Sequence, residues 1–441
     1  MAKRMADSPA KKGFSVSEFV FNVKNVENRN FGLDLVKVIA MIFVPCLHFF
    51  LYNGHYYYYI MGGEEGRVEF FAATFIRDLL FICVPLFLLV SGALSYQRPA
   101  DLSKRHYVKV TPIIVNSLII GGLTAWYLLA TAQPTPTPDP ELSPLNLLRG
   151  IWSGSLPSYG WYVNMYVTLF VLMPVIDIAY NALDSQHKKT VMVISILAIT
   201  VIPYSLNRIQ LEGASISLMP SFMAYALFPV AYYVVGKYIA EFRIRVNKLL
   251  LVVVLIACLL YQVFKLYFTG QGLKFYDAMY ADNYDFITLV TAVCFFLLIY
   301  NIDCKNKIVR SVMASLSSLT LSVYLLSWFC DQYFYVKNGI TCSNFGEYIP
   351  NFIRTVPITL VVSIAAAYVV GILIKIISRP IMSLFLNHSI FKPRKKPAPS
   401  RTGYYDKLLK ALYDTDKLTH EEYMAQKKAL VKTMKTDEDD E

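Results

Sequence analysis

Residues 29–50 read RNFGLDLVKVIAMIFVPCLHFF, and this apolar run decides the class of the protein. A helix of about 20 residues crosses the hydrocarbon core of a bilayer, and comparable runs recur along the chain. Of the 441 residues, 56% are hydrophobic and 17% are charged, whereas a soluble domain usually carries about 25% charged residues. This composition excludes a disordered chain, a disulfide-stabilised secreted domain and an ordinary soluble enzyme. The sequence therefore predicts an all-α, polytopic membrane protein.

Ten long runs with few charges are predicted to form transmembrane helices. Their approximate ranges are 33–53, 70–96, 109–131, 158–182, 190–206, 217–239, 247–268, 285–301, 311–336 and 351–376. They make up a membrane domain over residues 33–380, which follows a basic segment at 1–32. After it we expect a basic, proline-rich linker at 381–403 and a helical hairpin at 404–436.

The distribution of Lys and Arg between the runs predicts the orientation. Loops on one side carry clusters of cations, namely Arg98, Lys104 and Arg105; Lys188 and Lys189; Arg243 and Arg245; Lys305, Lys307 and Arg310; and Lys375, Arg379, Lys392, Arg394, Lys395 and Lys396. Loops on the other side carry the isolated cations Arg67, Arg149, Arg208, Lys274 and Lys337. Because cytoplasmic loops favour Lys and Arg, both termini are expected to be cytoplasmic. The same bias accounts for the net charge of +11, so no nucleic-acid partner is expected.

The C-terminal hairpin is predicted from its own pattern. Leu408 and Leu412 recur at helical spacing, and Thr419 followed by Glu422 predicts a capping box that opens a second helix. The segment resembles short C-terminal helical hairpins of the SHOCT type. Its expected use is oligomerisation or docking, and a solvated, partly disordered tail is the alternative.

Two ionisable residues of the first run share one helical face. Lys37 and His48 are eleven residues apart, which is about three turns and about 16 Å along a helix. An ionisable group inside a membrane is costly and points to a function. An imidazole suits a general base because it takes up and returns a proton near neutral pH. A packing role for His48 remains the alternative from spacing alone.

The first run also resembles the opening of the acyltransferase-3 family, membrane enzymes that acylate cell-surface carbohydrates. The family places Arg or Lys, ten residues and then His in its first helix, and Lys37 and His48 have that spacing. Two further segments are similar to the family's second and fourth helices. They are VPLFLLVSGAL, which contains Ser91 and Gly92, and WYVNMYVTLFVLMP, which begins at Trp161.

The resemblance extends over residues 29 to about 380 and implies a particular reaction. The donor would be cytoplasmic acyl-CoA, above all acetyl-CoA, which acts as a substrate, with no tightly bound cofactor. The acceptor would be a hydroxyl of a surface polysaccharide or glycolipid, and the enzyme would lie in the inner (cytoplasmic) membrane of the cell. His48 would be the general base, and Lys37 would anchor the donor or stabilise its charge.

Under this resemblance, cations near the third helix suit the phosphates of CoA, because cations at the entrance to a site attract a phosphate-rich ligand. The donor-binding candidates are Arg98, Lys104, Arg105 and Lys109. The acceptor-side candidates are Arg77, Asp78, Trp161 and Tyr162. For Arg77 and Asp78 the alternative is a structural ion pair.

Two segments depart from the family pattern. The family's Arg-x-x-Arg before the third helix reads His-Tyr-Val-Lys here, and Ser327 replaces the histidine of its late YLIH segment. His48 is therefore expected to act without a second imidazole, or with another partner such as Tyr324 or Asp331.

Two other function classes stay open. A secondary transporter would use His48 and Lys37 on a proton or anion path, although no internal repeat typical of transporters is evident. A non-catalytic sensor or scaffold would recruit a partner through the tail. No His, Asp or Glu cluster has the spacing of metal ligands, so no metal is expected. The expected partners are the bilayer, the acyl-CoA donor and the glycan or glycolipid acceptor, and a homo-oligomer is compatible with the sequence.

Overall fold

The computed structural model describes residues 29–53, 67–96, 101–132, 142–207, 210–211, 214–215, 222–270, 281–387, 419, 421–426 and 428. The chain divides into two compact units, Met1–Ser383 and Leu384–Glu441. The first unit contains almost all of the described helices. In the second unit, Thr419 and Glu422 form the predicted capping box, and residues 421–426 are helical. The remainder of the predicted hairpin, apart from residue 428, lies outside the described residues.

The described part of the first unit is almost wholly helical. In chain order the helices are α1 (Phe31–Tyr52), α2 (Arg67–Phe81), α3 (Cys83–Tyr96), α4 (Lys104–Val108), α5 (Thr111–Thr131), α6 (Pro144–Ser153), α7 (Trp161–Asn181), α8 (Gln186–Ile199), α9 (Val201–Asn207), α10 (Phe222–Glu241), α11 (Lys248–Gly270), α12 (Phe286–Ile299), α13 (Lys307–Asp331) and α14 (Tyr348–Asn387). A π-helical turn, Gln332–Lys337, continues α13, and short 3₁₀ turns cover Ser158–Gly160 and Phe345–Glu347. Two-residue strands β1 (Gln210–Leu211) and β2 (Ala214–Ser215) pair antiparallel.

Side-chain caps fix where several of these helices begin. Asn30, Asp285 and Asn306 accept hydrogen bonds from backbone N–H groups of the first turns of α1, α12 and α13. The first N–H groups of a helix have no partner within the helix, and a side-chain oxygen at the preceding residue supplies one. With these caps, α1, α12 and α13 begin within about four residues of their predicted starts.

Eight described segments are long and apolar enough to cross a membrane, which makes the chain a multi-pass membrane protein. They are Phe31–Tyr52, Val68–Tyr96, Lys104–Thr131, Pro144–Asn181, Gln186–Asn207, Lys248–Phe268, Lys307–Lys337 and Tyr348–Leu386. The sixth and eighth predicted spans coincide with α10 and α12, but neither is among the eight, and α12 has only 14 residues. The all-helical membrane class is confirmed, whereas the count of ten spans stays a prediction.

Helices α3 and α10 approach each other closely because both carry glycine at the contact. A Cβ atom at Gly92 would lie 1.9 Å from the backbone oxygen of Tyr233, and one at Gly236 would lie 2.1 Å from that of Leu89. Small residues permit such close helix contacts in membrane proteins. The Ser-Gly segment of the second predicted span therefore has a packing role that its sequence resemblance did not reveal.

Contacts between three helices establish their relative directions. Ser317 and Asp331 of α13 contact Asp34 and His48 of α1, so α1 and α13 run parallel. Tyr348, at the start of α14, contacts Asn53, and Tyr368, further along α14, contacts Ser315, so α14 runs antiparallel to both. Tyr159, two residues before the start of α7 at Trp161, contacts Asp331, so α7 begins at the level of the end of α13. These directions place the start of α1 and the later part of α14 at the same end of the bundle.

Candidate active site

A histidine and an aspartate meet inside the helical bundle. His48 of α1 and Asp331, the last residue of α13, are separated by 283 positions in sequence, and Nδ1 of the imidazole lies 2.9 Å from Oδ2 of the carboxylate. His48 is 8% exposed and Asp331 is 1% exposed. Burial of both groups indicates a specific pair, because a buried carboxylate is costly unless it is hydrogen-bonded.

Two tyrosines complete the environment of the pair. The Tyr159 hydroxyl donates a hydrogen bond of 2.7 Å to the same Asp331 Oδ2, and the Tyr159 ring lies 4.2 Å from the imidazole, centroid to centroid. The Tyr324 hydroxyl donates to the backbone oxygen of Tyr159 at 2.9 Å, which fixes the turn that carries Tyr159. The rings of both tyrosines therefore lie against the imidazole, and the Tyr159 hydroxyl holds the carboxylate.

This arrangement determines which imidazole nitrogen is available for chemistry. An ionised carboxylate only accepts hydrogen bonds, so Nδ1 of His48 is assigned as the donor to Asp331. The lone pair is then on Nε2, which is the atom that can take a proton. The other oxygen of Asp331, Oδ1, is buried without a hydrogen-bond partner among the described residues. A carboxylate held in this way stabilises the imidazolium that forms when Nε2 is protonated.

A cavity of about 820 Å³ leads through the bundle toward this pair. At one end, which we call the cationic end, it is lined by Lys37, Lys109, Lys375 and Arg379. At the other, which we call the aromatic end, it is lined by Val44, Tyr162 and Tyr324. Val44 lies one helical turn before His48 on α1, and the Tyr324 and His48 ring centroids are 6.4 Å apart. Neither His48 nor Asp331 is itself a lining residue, and the aromatic end of the cavity approaches the imidazole through Val44 and Tyr324.

The cavity wall changes in polarity along its length. Hydroxyl groups of α13 also line it: Ser317 lies at the level of Asp34, near the cationic end, and Ser318, Thr320 and Ser322 follow toward Tyr324. Two acids, Asp101 and Asp177, also line the cavity. Hydrogen bonds from the hydroxyl and backbone N–H of Ser103 hold the pKa of Asp101 below its ordinary value, so this residue is ionised at neutral pH. Four cations nevertheless outnumber the two acids, and the cationic end suits an anionic ligand.

The predicted donor-binding residues are divided by the structure. Lys37 and Lys109 line the cavity, whereas Lys104 and Arg105 are solvent-exposed and are not among its lining residues in the described part of the chain. Arg98 lies outside the described residues. His106 also lines the cavity, with its ring stacked on Phe170 at 4.4 Å between centroids. The family's Arg-x-x-Arg positions are therefore occupied here by two residues that face the cavity.

Lys375 and Arg379 are cavity residues that the sequence did not single out. Their cationic character was visible after the last predicted span, where it served only as a sign of orientation. Their position in the cavity depends on α14 running antiparallel to α1, which no local pattern reveals. The missing signal is therefore one of tertiary structure.

The predicted acceptor-side residues do not form one cluster. Tyr162 is buried and lines the aromatic end of the cavity, while Trp161 beside it is 44% exposed. Arg77 and Asp78 form a buried ion pair, with Nη1 to Oδ1 at 2.8 Å, and neither lines the cavity. Lys265 is close enough to influence Asp78 electrostatically. The structure thus places Arg77 and Asp78 in a separate charged cluster, as the ion-pair alternative expected.

Ser327 stands where the family has its late histidine, and Asp331 lies close to it on α13. Ser327 is buried and its hydroxyl donates to the backbone oxygen of Tyr324 at 2.8 Å. Asp331 lies four residues later, on the same face of α13, and it is the residue that contacts His48. The sequence left open whether Tyr324 or Asp331 is the partner of His48, and in the structure Asp331 is the one that hydrogen-bonds to it.

The fold and the site together define a helical membrane protein with an intramembrane histidine–carboxylate pair at the end of a cation-rich cavity. The sequence matches the acyltransferase-3 family, described as an acyltransferase domain, over residues 30–376, and the chain belongs to that family. It is therefore a multi-pass membrane acyltransferase, as the resemblance implied. Neither the curated proteins nor the solved structures gave a match to the chain.

Proposed function

We propose that this acyltransferase moves an acyl group, most simply acetyl, from cytoplasmic acyl-CoA to a hydroxyl of a surface polysaccharide or glycolipid. In this proposal α10 and α12 cross the inner (cytoplasmic) membrane of the cell together with the eight longer segments. Both termini are then cytoplasmic, and the cationic end of the cavity faces the cytoplasm. The distribution of Lys and Arg between the helices supports this orientation.

The single observation that carries the proposal is the His48–Asp331 pair at the end of a cavity whose other end is cationic. Lys37 and His48 lie about 16 Å apart along α1, a separation that suits an elongated ligand with one anionic end and one reactive end. Acyl-CoA has this form, with phosphates at one end and a thioester at the other. Hydroxyl groups of α13 between the two ends can hydrogen-bond to the amides of its connecting arm.

In the proposed mechanism His48 is the general base. Its Nε2 takes the proton of the acceptor hydroxyl while the hydroxyl oxygen attacks the thioester carbonyl carbon. The carbon–sulfur bond then breaks, the ester remains on the acceptor, and the thiolate of CoA receives the proton back from Nε2. Asp331 positions the imidazole and stabilises its protonated form, and Tyr159 holds the carboxylate. General-base assistance of this kind contributes about 10²–10⁴-fold in rate.

Lys37 has a separate role in this proposal. It lines the cavity three helical turns from His48, so it binds the phosphates of the donor rather than the reacting carbonyl. A loss of Lys37 is therefore expected to raise the KM for acyl-CoA, whereas a loss of His48 is expected to lower kcat.

Radiolabelled acyl-CoA tests the proposal. Membranes that contain equal amounts of wild-type or His48→Ala protein are incubated with labelled acetyl-CoA and crude cell-envelope material. Base-labile label in glycan or lipid with wild type, and not with the variant, is the expected result. Equal labelling with both proteins would remove His48 from the chemistry. No labelling from acetyl-, succinyl- or longer acyl-CoA would favour the transporter instead.

A truncated protein separates catalysis from a scaffold role. Removal of residues 397–441 leaves the membrane domain intact and should preserve labelling at the wild-type rate. Loss of labelling on truncation, with the membrane domain still folded and present at equal amount, would instead favour a protein that works through its tail.

A further inference from the structure

A second buried ion pair lies on the wall of the cavity. Asp177 of α7 lines the cavity with a side chain that is 10% exposed. Behind it, Lys237 of α10 is 1% exposed and places Nζ 2.6 Å from Asp177 Oδ1. The Tyr233 hydroxyl donates to the same oxygen at 2.9 Å. Neither the predicted reaction nor the His48–Asp331 pair uses this cluster.

The geometry of the cluster leaves one carboxylate oxygen for a ligand. Both hydrogen bonds to Asp177 end on Oδ1, and no described residue donates to Oδ2. The ammonium group of Lys237 neutralises the carboxylate from behind. Asp177 therefore offers the cavity a hydrogen-bond acceptor without adding net negative charge to it.

Asp177 lies toward the cationic end of the cavity. Helix α7 begins beside the His48 site, where Tyr162 lines the aromatic end, and Asp177 follows 15 residues later, which is about 22 Å along the helix. It is one turn from the end of α7 at Asn181. A donor whose thioester reaches His48 therefore places its nucleotide, not its acyl group, near Asp177.

We infer that Asp177 recognises the adenine base of the donor, with Oδ2 accepting a hydrogen bond from the exocyclic amino group. This inference rests on the proposed function. Adenine carries an N–H₂ donor that is remote from any phosphate, and a carboxylate is a suitable acceptor for such a group. The ribose hydroxyl is a poorer candidate for the group that binds Asp177, because it lies beside a phosphate. A carboxylate repels that phosphate, and the nearby cations attract it.

A donor analogue tests this assignment. Hypoxanthine in place of adenine replaces the amino group with a carbonyl oxygen, which cannot donate to Asp177. For the purified wild-type protein we expect the KM for the hypoxanthine form of acetyl-CoA to be about tenfold or more above that for acetyl-CoA, with kcat changed less than twofold. Equal KM values for the two donors would overturn the inference.

The variant Asp177→Asn tests the residue itself. Its carbonyl oxygen can still accept from Lys237, and its amide can donate to the carbonyl of hypoxanthine. The variant should therefore lose the preference for adenine, with a KM for acetyl-CoA raised about tenfold and a KM for the analogue unchanged or lower. An equal rise for both donors would show that Asp177 has only a structural role and would overturn the inference.

Control variants keep the result interpretable. Glu241→Gln disrupts the neighbouring Lys189–Glu241 ion pair, with Nζ to Oε1 at 2.5 Å, and Glu241 does not line the cavity. Glu241→Gln should keep the wild-type preference for adenine. If Asp177→Asn alone does not fold, the double variant Asp177→Asn/Lys237→Met removes both charges of the pair and is measured instead, with the same expected loss of preference.

Failure of the proposed function gives a different result from failure of this inference. Wild-type turnover of acetyl-CoA without discrimination between the two bases overturns the inference and leaves the acyltransferase proposal in place. No binding of acetyl-, succinyl- or longer acyl-CoA to the wild-type protein, measured by calorimetry, would overturn both.

Discussion

Replacement of Asp331 by Asn removes the carboxylate that contacts His48 while it keeps the size of the side chain. The lost interaction is the hydrogen bond between the His48 and Asp331 side chains, both of which are at least 90% buried. This hydrogen bond becomes charge-assisted when the imidazole takes up a proton. Hydrogen bonds to charged groups contribute about 1.5–3 kcal/mol. Because about 1.4 kcal/mol corresponds to a factor of ten in rate, kcat should fall about 10- to 150-fold.

The tautomer of His48 can enlarge this effect. The side-chain amide that Asp331→Asn introduces can donate to Nδ1, which moves the imidazole proton to Nε2 and blocks that nitrogen as a base. The same change in serine proteases lowers kcat by about 10⁴, which we take as the upper limit here. The KM for acyl-CoA should change little, because Asp331 does not line the cationic end of the cavity.

The assay measures release of CoA thiol by purified protein with acceptor present, normalised to the amount of folded protein. Asp78→Asn is the matched control, because Asp78 is another buried acid in an ion pair but lies away from the cavity. The control should reduce thermal stability and keep kcat for the folded fraction. A kcat for Asp331→Asn within twofold of wild type would refute the positioning role, as would an equal loss of kcat in both variants.

Three further changes have definite expected results. Gly92→Ala should lower the free energy of unfolding by about 1–3 kcal/mol or more, because the new methyl group would overlap the backbone of α10. Gly122→Ala is the control, since a Cβ atom there meets nothing within 4 Å, and it should be neutral or slightly stabilising. Thermal melting in detergent measures both variants. Lys375→Gln should raise the KM for acyl-CoA about threefold to tenfold and leave kcat unchanged. Lys104 is solvent-exposed, so Lys104→Gln should leave the KM unchanged. Equal KM values for the two variants would argue against the cavity as the donor site. Tyr159→Phe should lower kcat about 2- to 10-fold at constant KM, since it removes one hydrogen bond to the carboxylate; an unchanged kcat would limit Tyr159 to packing.

Much of the site could be predicted because its elements are local in sequence. The eleven-residue separation of Lys37 and His48 follows from helical periodicity, and the structure places Lys37 in the cavity with His48 beside its aromatic end. Asp331 and Tyr324 were both candidate partners of His48 from the sequence. The choice between Asp331 and Tyr324 required the relative height of α1 and α13, which depends on packing along the whole length of both helices.

Other parts could not be predicted, for physical reasons. Lys375 joins the cavity through the antiparallel path of α14, and Asp177 lines it while paired with Lys237 of a helix distant in sequence. The Arg77–Asp78 sequence gave no indication that its neighbours would be Lys265 and Asp285 rather than a substrate. Hydropathy predicted a span at 285–301, and the helix found there, α12, is only 14 residues long.

The most direct test of the central claim is the rate of thioester cleavage by purified His48→Gln protein at saturating acetyl-CoA and acceptor. The account predicts one CoA released for each ester formed by the wild-type protein. For the variant it predicts a kcat at least about 100-fold lower, with an unchanged dissociation constant for acetyl-CoA. A variant that binds acetyl-CoA normally and forms ester at the wild-type rate would contradict the assignment of His48 as the general base.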